Sequence, residues 1–259
     1  MAQEEQIVFF AAGLIGFAPS VAVLFHALRT YDYPYTEKAL FDTRRVFLGL
    51  AVGMVLGTAS GAITVLLRGG FVGLVALVAF LLLLALFEEG AKLVYLNRKG
   101  YRGRFDTTFV GLTLGVGMAA IVAAGSAYVN GPALFALSSI ATLAVFSASL
   151  GFVHACTGAL IGYGCSKGDV IIPFSQAYVA RVLYAAMLVP FFVWSGLPNP
   201  EANLAVPLFS LGAAVAFTAI LYTYVYRTIL PGTLPPELRR ERRRRFRDTK
   251  AARTNQTVR

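Results

Sequence analysis

The stretch LLLLALFEEGAKLVYLN, residues 81–97, places three charged side chains inside an otherwise apolar run. Glu88, Glu89 and Lys92 lie within five consecutive positions. Placing one charged side chain near the centre of a bilayer raises the free energy of membrane insertion by roughly 2.5–3.5 kcal/mol. These charges therefore need compensating groups within the protein, or a function that requires them there.

The rest of the chain indicates a membrane protein, because 57% of its 259 residues are hydrophobic and only 14% are charged. Seven apolar runs are long enough to cross roughly 30 Å of hydrocarbon as helices. They are 7–29, 45–67, 71–96, 107–129, 133–164, 174–195 and 203–229. We expect an all-α, polytopic membrane helical bundle of about seven transmembrane helices, located in the cell membrane. The fifth run is longer than one span requires, so one helix and two helices broken near Gly151 both stay open.

The distribution of basic residues predicts the orientation, since short loops rich in Lys and Arg stay in the cytoplasm. Outside the predicted helices, 20 basic residues fall on one side and only Arg68 on the other. This pattern predicts an N terminus outside and a C terminus in the cytoplasm. Residues 1–230 would form the transmembrane domain, and residues 231–259 a basic cytoplasmic tail, disordered or partly helical. Eleven basic residues from Arg227 onward favour contact with anionic lipid, and we predict no specific nucleic-acid partner.

Few ionisable side chains lie inside the predicted spans: His26, Glu88, Glu89, Lys92, His154 and Arg181. Glu88 lies ten residues before Arg98 and His154 lies ten residues before Gly164, so both are roughly 15 Å from the cytoplasmic helix ends. We therefore expect these two side chains to share one site. Arg181 can either extend back to the cytoplasm or turn inward to a carboxylate.

Helical spacing separates the two acids of the third run. Glu88 and Lys92 are four residues apart, in the favourable order for an ion pair, whereas Glu89 points about 100° away. Lys92 is also three residues from Glu89, so it can neutralise one acid while the other faces a different helix. A structural ion-pair cluster, a proton or ion path, and a hydrolytic site are all compatible with this spacing.

A hydrolytic site requires a base for water, a proton donor for the leaving group and a group that stabilises an oxyanion. A buried glutamate and His154 are residue types that supply these functions. Two acids and one histidine are also enough for three metal ligands, but no HExxH motif supports zinc. We therefore predict no required cofactor and leave a divalent metal unassigned.

Three segments in order carry the chemistry-bearing residues: FEEGAK (87–92), FDTTFVGLTLGVGMA (105–119) and HACTGALIGYG (154–164). They resemble the EExxK motif, the D-G-x-x-x-G and G-x-G-F-A motifs, and the histidine helix of the PrsW family of intramembrane proteases. That family is related to the CAAX prenyl endopeptidases. The resemblance implies that Glu88 activates water and that Glu89 orients the groups of the site. It also implies that Lys92 adjusts the ionisation of the two glutamates, and that His154 assists the oxyanion or the leaving group. The implied substrate is a peptide bond in a membrane protein or peptide.

The chain departs from this family at several positions. Val122 and Ala123 stand where the family has a second acidic residue followed by Asn, and Gly158 stands where the CAAX relatives have Asn. The fourth helix therefore contributes Thr113 to the site but no ionisable group. A catalytically reduced relative that binds or chaperones transmembrane clients, and a proton-coupled transporter, remain alternatives.

Two further predictions concern the ends of the bundle. Asp106 starts the fourth helix and is expected to act as its N-cap, with a role in water access or substrate gating as the alternative. The last predicted helix contains no lysine, which excludes a retinal Schiff-base protein.

Overall fold

A computed structural model describes residues 2–33, 35–67, 73–194, 205–242, 244–245 and 247. The long helices are α1 Ala2–Leu28, α2 Thr43–Leu67, α3 Leu74–Leu96, α4 Thr107–Val129, α5 Leu137–Lys167, α6 Ile171–Trp194 and α7 Ala205–Tyr224. Helix α7 continues through a π-helical segment, Val225–Ile229, into the short helix α8, Leu230–Thr233. Over these ranges there is no β-strand. The predicted all-α class is confirmed, and α5 is one continuous helix rather than two.

Within the described part of the chain, six helical stretches are long and apolar enough to cross a membrane. They are Gln3–Tyr31, Thr43–Leu66, Thr107–Val129, Leu137–Lys167, Ile171–Val193 and Ala205–Thr233. The protein is therefore a multi-pass membrane protein by length and composition. Helix α3, which carries the three charges, is not in this set.

Helices α4 and α5 form the centre of the bundle and are mostly buried, whereas at most a third of each of the other candidate spans is buried. Glycines let their backbones touch. A Cβ added at Gly115 would overlap the carbonyl oxygen of His154, and one added at Gly158 would overlap that of Gly111. Helix α2 lies equally close to α4, since a Cβ at Gly53 would overlap the Leu114 carbonyl. Close approach of small residues is a principal source of helix association in lipid.

Helix α3 is attached differently from α2, α4 and α5. A Cβ added at its glycine, Gly90, would have no neighbour within 4 Å. Several apolar side chains on its outer face are exposed, including Val75 and Leu83. Its contacts are mainly with α6 and α5. Helix α3 is therefore joined to the bundle through side chains, and the charged ones are central to that attachment.

The segments rich in basic residues meet at one end of the bundle. Arg45 donates a hydrogen bond to the Gly100 carbonyl, and the Gly103 amide donates to Cys165 at the end of α5, at 3.0 Å. In the C-terminal region, Arg242 donates through Nε to the Thr30 carbonyl at 3.1 Å. The loop before α2, the loop before α4 and the C-terminal region therefore share one side. Arg68, the basic residue predicted for the opposite side, lies outside the described residues.

Part of the predicted tail is helical, over residues 236–242. The guanidinium carbon of Arg242 lies 4.2 Å from the centroid of the Tyr31 ring, and Arg245 forms an ion pair with Glu37. This portion is therefore packed against the end of α1. Residues 248–259 of the tail lie outside the described part of the chain.

Candidate functional site

Seven polar side chains from four helices form one buried group, which we call the charged cluster. Helix α3 contributes three of them, α5 contributes two, and α2 and α6 contribute one each. Its members are Ser60, Glu88, Glu89, Lys92, His154, Thr157 and Arg181. Every member is at most 8% exposed, and Glu89, Lys92, His154 and Thr157 are completely buried. Helices α3 and α5 meet here through Glu89, Lys92, Thr157 and His154, whereas Glu88, which we expected beside His154, bonds to α2 and α6 instead.

Glu88 faces α2 and α6. Its Oε1 accepts a hydrogen bond from Ser60 Oγ at 2.5 Å, and its Oε2 accepts one from Arg181 Nε at 2.7 Å. Both carboxylate oxygens are thus bound by groups of the protein. Of the two predicted positions for Arg181, the inward one is observed, and it forms a buried ion pair with Glu88.

Glu89 faces α5 and shares one oxygen between two donors. Its Oε1 accepts a hydrogen bond from Lys92 Nζ at 2.7 Å and one from Thr157 Oγ1 at 3.1 Å. Lys92 Nζ also lies 2.8 Å from Thr157 Oγ1 and 3.1 Å from His154 Nδ1. The ammonium group therefore has one acceptor for each of its three protons.

This arrangement fixes the form of the imidazole. Because Lys92 is a donor only, His154 Nδ1 accepts the hydrogen bond and the ring proton lies on Nε2. The tautomer is assigned from the hydrogen-bond network. His154 thus presents an N–H donor on the side of the ring opposite Lys92.

Two polar atoms of the cluster have no hydrogen-bond partner among the described residues: Glu89 Oε2 and His154 Nε2. One is a carboxylate acceptor and the other an N–H donor, and Lys92 joins their side chains. Unpaired buried polar atoms of this kind are rare in native proteins, because each costs about 1–3 kcal/mol. Glu89 Oε2 could accept a proton from a water molecule, and His154 Nε2 could donate one to a carbonyl oxygen.

The charges in the cluster balance. Glu88 and Glu89 carry two negative charges, and Lys92 and Arg181 carry two positive charges, while the imidazole is neutral. Each charge is paired at 2.7 Å. This pairing explains how three charges are tolerated within the apolar third run, since buried charges are acceptable only when they are paired and hydrogen-bonded.

A second polar contact lies beside the cluster. The Arg181 guanidinium carbon lies 5.8 Å from the centroid of the Tyr184 ring, and the Tyr184 hydroxyl lies 2.8 Å from Ser149 Oγ. Ser149 in turn donates to the Phe146 carbonyl, so the Tyr184 hydroxyl is the donor to Ser149. Tyr184, itself held by Ser149, therefore lies within cation–π distance of Arg181.

Two residues predicted to support the site lie elsewhere. Asp106 occupies the N-cap position of α4, but its side chain makes no capping bond and instead pairs with Arg104 through two hydrogen bonds, at 2.8 and 3.0 Å. These bonds to Asp106 raise the pKa of Arg104. Thr113 donates to the Val110 carbonyl of its own helix, and its hydroxyl would lie only 2.8 Å from a Cβ added at Gly49. Neither side chain bonds to the charged cluster.

The donor set does not fit a metal. Among the described residues there is no group of three or more His, Cys, Asp or Glu side chains arranged to hold an ion. The Lys92 ammonium group, itself a cation, already lies between Glu89 Oε1 and His154 Nδ1. We therefore derive no catalytic step through a metal.

Sequence reasoning missed Ser60, Thr157 and Tyr184. Thr157 follows His154 by three residues and so lies on the same helix face, a signal that the spacing argument could have used. Ser60 is one of several small polar residues in a glycine-rich helix, and no sequence pattern distinguishes it from them. Tyr184 is three residues after Arg181, which again places it on the same face.

No protein-family model, curated protein or solved structure matches this chain.

Proposed function

We propose that this protein is an intramembrane hydrolase that cleaves a peptide bond of a membrane protein or membrane-embedded peptide, as the resemblance to the PrsW proteases implies. One observation carries the proposal. The cluster leaves unpaired one carboxylate oxygen, Glu89 Oε2, and one imidazole N–H, on His154, in a region where almost every other polar atom is paired. An acceptor for a proton of water and a donor for a carbonyl oxygen are the two groups that amide hydrolysis requires.

In the proposed reaction, water donates a hydrogen bond to Glu89 Oε2, and the substrate carbonyl oxygen accepts one from His154 Nε2. Water attacks the carbonyl carbon as its proton passes to Glu89, and the electron pair of the C=O bond moves to the oxygen. His154 stabilises the resulting oxyanion by its hydrogen bond. The oxyanion then re-forms the C=O bond as the C–N bond breaks with its electron pair on nitrogen, and the proton on Glu89 passes to that leaving nitrogen. The products are a carboxyl group and an amine, and Glu89 returns to its starting state.

The geometry favours Glu89 as the base, in place of the Glu88 suggested by the family motif. Both oxygens of Glu88 accept hydrogen bonds, and Arg181 pairs with it directly. A carboxylate stabilised by a guanidinium is a weaker base than one with a free oxygen. Glu88 then positions α3 against α2 and α6, while Lys92 holds His154 in the required tautomer.

We also propose that α3 is a seventh membrane span. Its 23 residues are about 35 Å long, enough to cross the hydrocarbon, and its charges are compensated by the cluster. With seven spans, the clustering of basic segments at one end supports an N terminus outside and a C terminus in the cytoplasm. The basic tail would then contact anionic lipid. Since the cluster is buried, a substrate reaches it only when the helices that surround the cluster move apart.

Binding of transmembrane clients without hydrolysis is a second candidate function. The observation that favours it is the complete pairing of all four charges, which a structural cluster requires and a catalytic one does not. In that case the cluster holds α3 in the bundle, and clients bind to the exposed apolar face of α3.

The test uses the purified full chain in liposomes with a set of transmembrane peptides, and mass spectrometry to identify cleavage products. We expect Glu89→Gln to lower cleavage by at least about 100-fold, since it removes the general base. The matched control is Glu88→Gln combined with Arg181→Met, which keeps the cluster neutral and should retain cleavage.

Three results would separate the alternatives. Full cleavage by Glu89→Gln would refute the proposed base. Absence of cleavage by the wild type, with equal recovery of clients by wild type and Glu89→Gln, would establish the binding function. Proton uptake into the liposomes that Glu89→Gln abolishes would instead indicate transport.

A further inference from the structure

The Thr157 hydroxyl has two possible acceptors for its single proton. Thr157 is completely buried, and its Oγ1 accepts a hydrogen bond from Lys92 Nζ at 2.8 Å. Its own proton can go to Glu89 Oε1 at 3.1 Å or to the His154 carbonyl oxygen at 3.3 Å. A hydroxyl donates only one hydrogen bond at a time, so the two acceptors compete.

Which acceptor prevails depends on the charge of Glu89. When Glu89 is a carboxylate, a charge-assisted hydrogen bond from Thr157 is the stronger of the two. When Glu89 carries a proton, its oxygen is a weaker acceptor, and the carbonyl three residues earlier in the helix is the usual alternative for threonine. The hydroxyl can therefore change acceptor without leaving the cluster.

We infer that Thr157 is a positioning residue of this site, whose hydroxyl rotates between Glu89 and the His154 carbonyl as Glu89 loses and gains a proton. This inference rests on the proposed function, in which Glu89 takes a proton from water and later returns it. In both states the Thr157 proton has an acceptor and Lys92 keeps Thr157 Oγ1 as an acceptor. The change in charge at Glu89 is thus accommodated by one bond rotation.

Two substitutions separate this role from packing. Thr157→Val keeps the shape of the side chain but removes the hydroxyl, whereas Thr157→Ser keeps the hydroxyl and removes a methyl group. Thr218→Val is the matched control, because Thr218 is also completely buried and its hydroxyl donates to the Val215 carbonyl of its own helix, at 3.0 Å.

The experiment measures kcat and KM of the purified full chain in liposomes, on a transmembrane peptide that the wild type cleaves. Thr157→Val should lower kcat about 10- to 100-fold, the factor that corresponds to one unsatisfied buried hydrogen-bonding group, with KM changed by less than about twofold. Thr157→Ser should recover most of this loss, and Thr218→Val should behave as the wild type.

Several results would overturn the inference. With an active wild type, an unchanged kcat in Thr157→Val would refute it while leaving the proposed function in place. An equal loss in the Ser and Val variants would show that the methyl group, and so packing, matters. If Thr157→Val does not fold, Thr157→Ala replaces it, and failure of both to fold would assign the hydroxyl to stability alone. A wild type that cleaves none of the peptides would refute the proposed function itself.

Discussion

Removal of Arg181 tests whether the balance of charge in the cluster stabilises the fold. Glu88 is 1% exposed, and in Arg181→Met it keeps only Ser60 as a hydrogen-bond donor, so the cluster changes from neutral to a net charge of −1. Breaking a buried ion pair by removing one partner costs about 3–5 kcal/mol. Glu88→Gln leaves Arg181 unpaired and should cost a similar amount.

The double variant Glu88→Gln/Arg181→Met restores neutrality. We expect it to lose at most about 1–2 kcal/mol, because replacement of both partners of a buried pair is often nearly neutral. The coupling energy from the double-mutant cycle is then several kcal/mol, well above the level expected for independent sites. The assay is loss of helical circular dichroism as SDS is added to protein in mild detergent micelles. If the double variant is destabilised by the sum of the two single effects, the ion pair is not the source of the stability.

The remaining predictions concern the close helix contacts and the C-terminal region. Gly115→Ala should destabilise the protein by about 1–3 kcal/mol in the same assay, because its Cβ would overlap the His154 carbonyl. Gly61→Ala, whose Cβ would meet nothing within 4 Å, should cause no loss, and equal effects of the two would contradict the packing. Arg242→Gln should speed cleavage by a glutamate-specific protease after Glu241, because it removes the bonds to Thr30 and the stacking on Tyr31. The exposed Arg240 provides the control Arg240→Gln, and similar rates for both variants would show that Arg242 does not hold this segment.

The helices could be predicted from sequence because lipid imposes a minimum length of apolar residues and leaves few alternatives to a helix. The fourth prediction, 107–129, coincides with α4, and the others differ by a few residues at their ends. Prediction of spans from composition fails at α3, because composition alone does not establish whether a helix with three charges crosses a membrane.

The site was predicted in part, for a physical reason. Depth along a helix follows from counting residues, so the meeting of α3 with His154 could be expected. The direction in which each acid faces depends on how α3 is rotated about its own axis relative to its neighbours. Residue spacing along one helix does not determine this rotation. The family motif therefore suggested Glu88 as the base, whereas the contacts leave the free oxygen on Glu89.

The contact between Gly115 and the His154 carbonyl limits which residues position 115 can accept. The backbone that carries the imidazole touches the backbone of α4, so any larger residue at position 115 would displace the histidine along with its helix. No such restriction applies at Gly90, beside the two acids, where an added methyl group would meet nothing. Under random mutagenesis with selection for the folded protein, position 115 should therefore tolerate few substitutions and position 90 many.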